Sequence, residues 1–134
     1  MGETKGELDG LIVVDASTNL AGAYCAKLLA DAGATVTLVE PSSGATLRRW
    51  TCDRELDPGE DGALFRYLRH GQRSVTTGHR DGEGVREVLD AADVVVVSRG
   101  SPIDGAHALT ARRDDGHVLA NAGSASNAVR SATA

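Results

Sequence analysis

The sequence predicts an α/β fold: a mostly parallel sheet with flanking helices. Three observations predict it. Two β-rich runs, Leu11-Ile12-Val13-Val14 and Thr35 to Val39, bracket an apolar-periodic stretch from Leu20 to Ala32. That is strand, helix, strand within about thirty residues, the size of one βαβ unit. A further run, Val94 to Val97, is apolar at every position, as in a strand buried on both faces. The composition agrees. Of 134 residues, 16 are Gly and 20 Ala, whereas aromatics make up 3%. A core of Val, Leu and Ala with close backbone approach suits helices on a parallel sheet better than an aromatic-rich sandwich.

Each element has its own local reason. The first strand ends at Asp15, and the turn after it offers three good helix caps, Ser17, Thr18 and Asn19. In the helix that follows, Leu20, Tyr24 and Leu28 lie four apart with Ala21, Cys25 and Leu29 beside them, so this side is expected to face the core. Gly33 is placed to cap its C-terminus. The second strand ends at Glu40 and Pro41. Ser42 to Gly62 is rich in Gly, Pro, Asp and Glu and reads as loop. Ala63 to His70 reads as a short helix closed by Gly71, and Arg73 to Thr77 as a short strand. Asp81 can cap a helix from Gly82 to Ala92 with Val85, Val88 and Leu89 inward. Asp93 to Val97 is a third buried strand. Ile103 to Arg113 is a weaker helix and His117 to Asn121 a weak strand. One domain is thus expected over residues 1–121. Ala122 to Ala134 is a tail of small residues, expected to fray unless a partner covers it.

Charge and composition narrow the partners. Lys and Arg total 14 against 19 Asp and Glu, a net charge of −5. Such a chain lacks the surplus cations that nucleic acids or anionic membranes demand. Cys25 and Cys52 form no CxxC and no metal spacing, so both are expected to be reduced thiols. The first ten residues are charged and polar, and no apolar run approaches a membrane span. A cytoplasmic location is expected.

In open parallel sheets, ligands bind beyond the carboxyl ends of the strands. That rule selects Asp15 to Ala21, Glu40 to Ser42, and Ser98 to Gly100. A dinucleotide site needs a glycine-rich turn entering a helix, but the first turn holds only Gly22 and no GxGxxG. Glu40 stands where a ribose-binding acid sits in such folds, or else it is a solvated strand-end carboxylate. His70, His79, His107 and His117 are scattered, so no metal is expected. There is no GxSxG, and Cys25 lies inside a helix face as a small core residue. What remains is phosphate binding at a helix N-terminus, with Arg73, Arg80 and Arg99 near strand ends as guanidinium contacts.

A family resemblance rests on an ordered set of segments. These are Leu8-Asp9-Gly10-Leu11-Ile12-Val13-Val14-Asp15-Ala16-Ser17, Leu20-Ala21-Gly22, Leu28 to Ala34, and Val36 to Pro41. Ala63-Leu64-Phe65, Gln72-Arg73-Ser74-Val75, Arg80 to Gly84 and Ala92 to Val96 follow in register. Together they resemble the N-terminal part of the family III CoA-transferases, the carnitine and formyl-CoA transferase and α-methylacyl-CoA racemase relatives. The resemblance implies a Rossmann-like domain that binds coenzyme A, and acyl transfer through an Asp in a homodimer of interlocked rings. It places Thr18, Asn19, Leu20 and Ala21, then Thr77 and Arg80, then Ser98 and Arg99 beside the CoA nucleotide. The departures are Ala23 for the family's Pro, Gln72 for its Lys, Val97-Ser98 for its Glu-Asn, and Pro41 for a basic residue.

The family's catalytic Asp lies beyond the equivalent of Asn121. The fold is therefore expected to be truncated relative to the full family, with no catalytic residue in this chain and no turnover from it alone. CoA or acyl-CoA is the expected ligand, and a second copy or a partner chain the expected supplier of the missing part. Two other readings remain open: an interaction or assembly module that keeps the fold without the ligand, and an NAD-binding domain using Glu40.

Overall fold

The computed structural model describes residues 5–78, 83–103 and 117–120. The chain runs β1 (Ile12–Ala16), α1 (Leu20–Asp31), β2 (Thr35–Glu40), a 3-10 turn (Thr46–Arg49), α2 (Ala63–Leu68), β3 (Arg73–Thr76), α3 (Glu83–Asp90), β4 (Val94–Val97) and β5 (His117–Ala120). All strand pairings are parallel, in the order β3-β2-β1-β4-β5. The expected α/β architecture with a parallel sheet is therefore present. The expected helix from Ile103 to Arg113 and the tail from Ala122 lie, apart from Ile103, outside the described residues, as does the Asp81 cap.

Side-chain alternation along the strands sorts the core into two layers. Val13, Val36 and Val96 pack with Ala26 and Ala34, while Leu38 packs with Ala23, Phe65 and Leu68, so α1 and α2 cover one face. Val14, Val39 and Val95 pack with Val85 and Leu89 of α3 on the other. β1 sits centrally, and Val13 and Val14 are wholly buried.

Helix α1 corrects one expectation. Its buried positions are Gly22, Ala23 and Ala26, while Leu20, Tyr24 and Leu28 stay about half exposed at 42%, 50% and 52%. Small residues let the helix axis approach the sheet closely, and that closeness turns the bulky side outward. The C-terminus behaves as expected. Gly33 takes φ +108, its N–H donates to the Ala30 carbonyl, and the Ala34 N–H donates to the Leu29 carbonyl. This is a Schellman closure, which a left-handed glycine permits.

Helix α3 presents Val85 and Leu89 to the core with Val88 against them, as its spacing predicts. β1 runs to Ala16, one residue beyond the expected end at Asp15. Asp15 is fully buried and is held by an ion pair from across the domain.

Candidate functional site

The strand order reverses between β1 and β4. From β1 the chain steps outward through β2 and β3, then returns to build β4 and β5 on the other side. A crevice opens at such a switch point, outside the carboxyl ends of the strands. The turn after β1 and the turn after β4 meet at this point. The Thr18 N–H donates to Ser98 Oγ at 2.9 Å, the two hydroxyls lie 3.1 Å apart, and Thr18 Oγ1 donates to the Arg99 carbonyl at 3.0 Å. These bonds tie the two loops into one rim.

Four of the eight sequence-selected residues follow directly along α1's start. Asn19 is the true cap among the three candidates: its Oδ1 accepts the Gly22 N–H at 2.9 Å. The Leu20 and Ala21 N–H groups are the first of the helix and have no acceptor among the described residues. They remain open at its positive end. Thr18, Ser98 and Arg99 join them across the rim. Thr77 does not. It follows β3, and its N–H donates to the Glu40 carbonyl. With β2 intervening, it stands two strand spacings, roughly 10 Å, from β1. Arg80 lies outside the described residues.

The single glycine of the first turn has a packing reason. A Cβ on Gly22 would meet Ser17 Oγ at 2.0 Å and Ser17 Cβ at 2.3 Å. The helix therefore sits directly against the turn that precedes it. Ser17 Oγ is buried there and has no hydrogen-bond partner among the described residues.

Beneath this rim, acidic strand ends are consumed by arginines. Arg69 donates to Asp15 Oδ2 at 2.6 Å, with Arg69 at 7% and Asp15 at 0% side-chain exposure. The other Asp15 oxygen accepts the Ser17 N–H at 2.8 Å. Glu40 accepts from Arg48 Nε and the Ala45 N–H at 2.7 Å each, and from the Ser74 hydroxyl. Arg48 also donates to Asp61 at 2.8 Å. Burial pushes the Glu40 carboxyl up, but the bonds from Arg48, Ser74 and Ala45 outweigh it and hold it at about 2. Glu40 is 2% exposed, which corrects its reading as a solvated carboxylate. Nor does an acid so fully engaged resemble one held ready for a ribose.

Burial pushes the Cys25 thiol up, and Asp15 adds to the shift, so the thiol is held in its neutral form, as suits a packed side chain. Among the described residues, no cluster of three His, Cys, Asp or Glu side chains is placed to hold a metal. Among them, too, no helix is long and apolar enough to cross a membrane.

Two features escaped sequence reasoning. Asp15 and Arg69 are 54 positions apart, and nothing local joins them. Arg48 lies eight residues past Glu40 in a loop, where an arginine ordinarily signals a solvated charge. The one available signal was an acidic residue ending a wholly apolar strand, since a charge there needs either water or a partner.

Comparison with known proteins supplies an independent view. The model of CoA-transferase family III matches residues 8–102. An acyl-CoA transferase of Fusarium pseudograminearum is 35% identical over 102 residues, 69% of this chain and 22% of that protein. A succinyl-CoA:mesaconate CoA-transferase of Haloarcula marismortui is 36% identical over 97 residues, 68% of this chain and 24% of that protein. Among solved structures, a CAIB/BAIF family protein from Brucella suis superposes with a TM-score of 0.69 and 29% identity, covering 87% of this chain and 33% of that one. A hypothetical protein of Mycobacterium tuberculosis, 23% identical with a TM-score of 0.68 over 90% of this chain and 34% of that one, shares the fold. The chain thus spans less than a quarter of these curated relatives and about a third of these solved chains.

Proposed function

The chain belongs to CoA-transferase family III, and from that premise we propose that it binds the nucleotide part of coenzyme A at the β1–β4 crevice. The family match over residues 8–102 carries this reading, because it includes both rim turns. The open Leu20 and Ala21 amides and the helix dipole behind them suit a phosphate group. Thr18 and Ser98 supply hydroxyls, and Arg99 a guanidinium. Asn19 acts by holding the first turn of α1 in place. Thr77, which follows β3, and Arg80 belong to the same proposal.

Members of this family act on CoA thioesters. For this chain alone we propose binding without transfer. Acyl exchange through an anhydride needs an accessible carboxylate facing the thioester. The two carboxylates at the β1 and β2 ends are buried and neutralised by Arg69 and Arg48. The acyl-carrying Asp would then lie in a part of the fold outside residues 8–102.

Thermal-shift titration with CoA, acetyl-CoA and NAD tests the proposal, since a ligand that binds only the folded chain raises the melting temperature once its concentration passes Kd. A rise with CoA and none with NAD is expected. No shift with CoA, from a chain that melts cooperatively, overturns it. A second reading then gains weight, an assembly module of the same fold, favoured by the exposed Leu20, Tyr24 and Leu28 face of α1. Sedimentation of the chain as a stable dimer would support that reading.

A further inference from the structure

A cleft of about 370 Å³ lies between α2 and the β2–β3 pair, apart from the β1–β4 crevice. Four arginines line it, Arg48, Arg66, Arg69 and Arg73, with Asp61 as its one acidic side chain. Arg48 and Arg69 are matched by Glu40, Asp61 and Asp15, so the positive charge left open to a ligand in this pocket is that of Arg66 and Arg73. Its arginines are unequally occupied. Arg48 is spent on Glu40 and Asp61. Arg69 spends Nη1 on Asp15 and Gln72, but its buried Nε has no hydrogen-bond partner among the described residues. Arg66 and Arg73 are exposed and take part in no ion pair among the described residues.

A buried guanidinium N–H without an acceptor costs free energy, and like charges gathered around one hollow repel each other. Both costs fall if an anion enters. We propose that this cleft binds a compact oxyanion carrying two negative charges, with Arg66 and Arg73 contacting it from the rim and Arg69 from below. The planar forks of arginine match the oxygen spacing of phosphate and carboxylate alike. Phe65 and Leu38 line the same cleft, and an apolar surface beside the charges lowers the local dielectric and strengthens each contact. This site is independent of the coenzyme reading, since none of the rim residues Thr18, Ser98 or Arg99 lines it.

The experiment is a titration of the full chain with inorganic phosphate and, separately, succinate. Ionic strength is held constant with chloride at about pH 7.5, above the second phosphate pKa. Arginine Nε–Hε resonances are followed by NMR. A saturable shift of the Arg69 resonance is expected with at least one anion, and the anion that produces it identifies a phosphoryl or a dicarboxylate ligand. The double variant Arg66→Gln, Arg73→Gln removes exposed side chains and keeps the Asp15–Arg69 pair. Its melting temperature without ligand is expected to stay that of the parent, and its Kd to rise at least about tenfold, the loss of one or more charged hydrogen bonds. Shifts that never saturate with either anion, or a Kd the double variant leaves unchanged, would overturn the proposal.

Discussion

Two polar regions lie within one layer of this sheet, and they differ in kind. At the β1–β4 rim, Thr18, Ser98 and Arg99 are joined by exposed hydroxyl and backbone bonds. On β1 and β2, by contrast, Asp15 pairs with Arg69 and Glu40 with Arg48, each carboxylate buried. The rim places groups where a ligand can reach them. In the buried pairs the carboxylates are already taken up by their arginines. Charge alone therefore does not mark function here. Burial decides which polar group stays open and which is a rivet.

The sharpest way to break this contrast is Arg69→Met. It strands the Asp15 charge in the interior and is expected to cost about 3–5 kcal/mol by urea unfolding. Joint replacement with Asp15→Asn should recover much of that loss, since the stranded charge is then gone. A small loss from the single variant would place the pair among merely decorative surface bridges.

Acid comes next. The folded Glu40 pKa of about 2 lies below its ordinary value of 4.5. A depressed carboxylate stabilises the fold fully above its unfolded pKa, and that contribution disappears as pH falls through the folded value. Stability is thus expected to drop between pH 4.5 and 2, by about 3 kcal/mol. Glu40→Gln should start less stable and show a flatter profile across that window.

Gly22→Ala drives a methyl into Ser17 and is expected to cost about 1–3 kcal/mol, with weaker CoA binding because the rim moves with the helix. Asn19→Ala removes the cap and should cost about 1 kcal/mol. The smallest stability effect should come from Thr18→Val with Ser98→Ala, about 1 kcal/mol or less for exposed neutral bonds. The same pair should lower CoA affinity most. If it unfolds the chain while leaving affinity intact, the contrast between the two regions is reversed.

Much of this was legible in advance. β1 and β4 announced themselves as unbroken apolar runs, because a strand covered on both faces has no polar side to display, and β2 as a β-rich run with two threonines. Gly33 marked the end of α1 because only a left-handed residue closes a helix that way. The core side of α1 was not legible: Leu20, Tyr24 and Leu28 carry the hydrophobicity, yet Gly22, Ala23 and Ala26 carry the packing. Periodicity weighs side-chain greasiness, while a tightly docked helix is selected for smallness. The rim could be placed from strand ends and turn chemistry, both local. The Asp15–Arg69 pair could not, because its partners meet only after the crossover through β2 and α2 is built.

The central position of β1 has a consequence for how the chain is made. Its β2 edge is filled early, with Ile12 pairing to Thr35, but its other edge waits for β4, where Val13 pairs with Val94, 81 positions on. At about 5–20 residues per second of synthesis, that edge stays open for roughly 4–16 s. During this interval Val13 and Val14 sit in an unfinished sheet with unused backbone donors and acceptors, a template for any neighbouring strand. Pairing across so long a stretch of chain also slows the final closure. The ribosome, rather than the finished domain, is where this fold is most exposed to going astray.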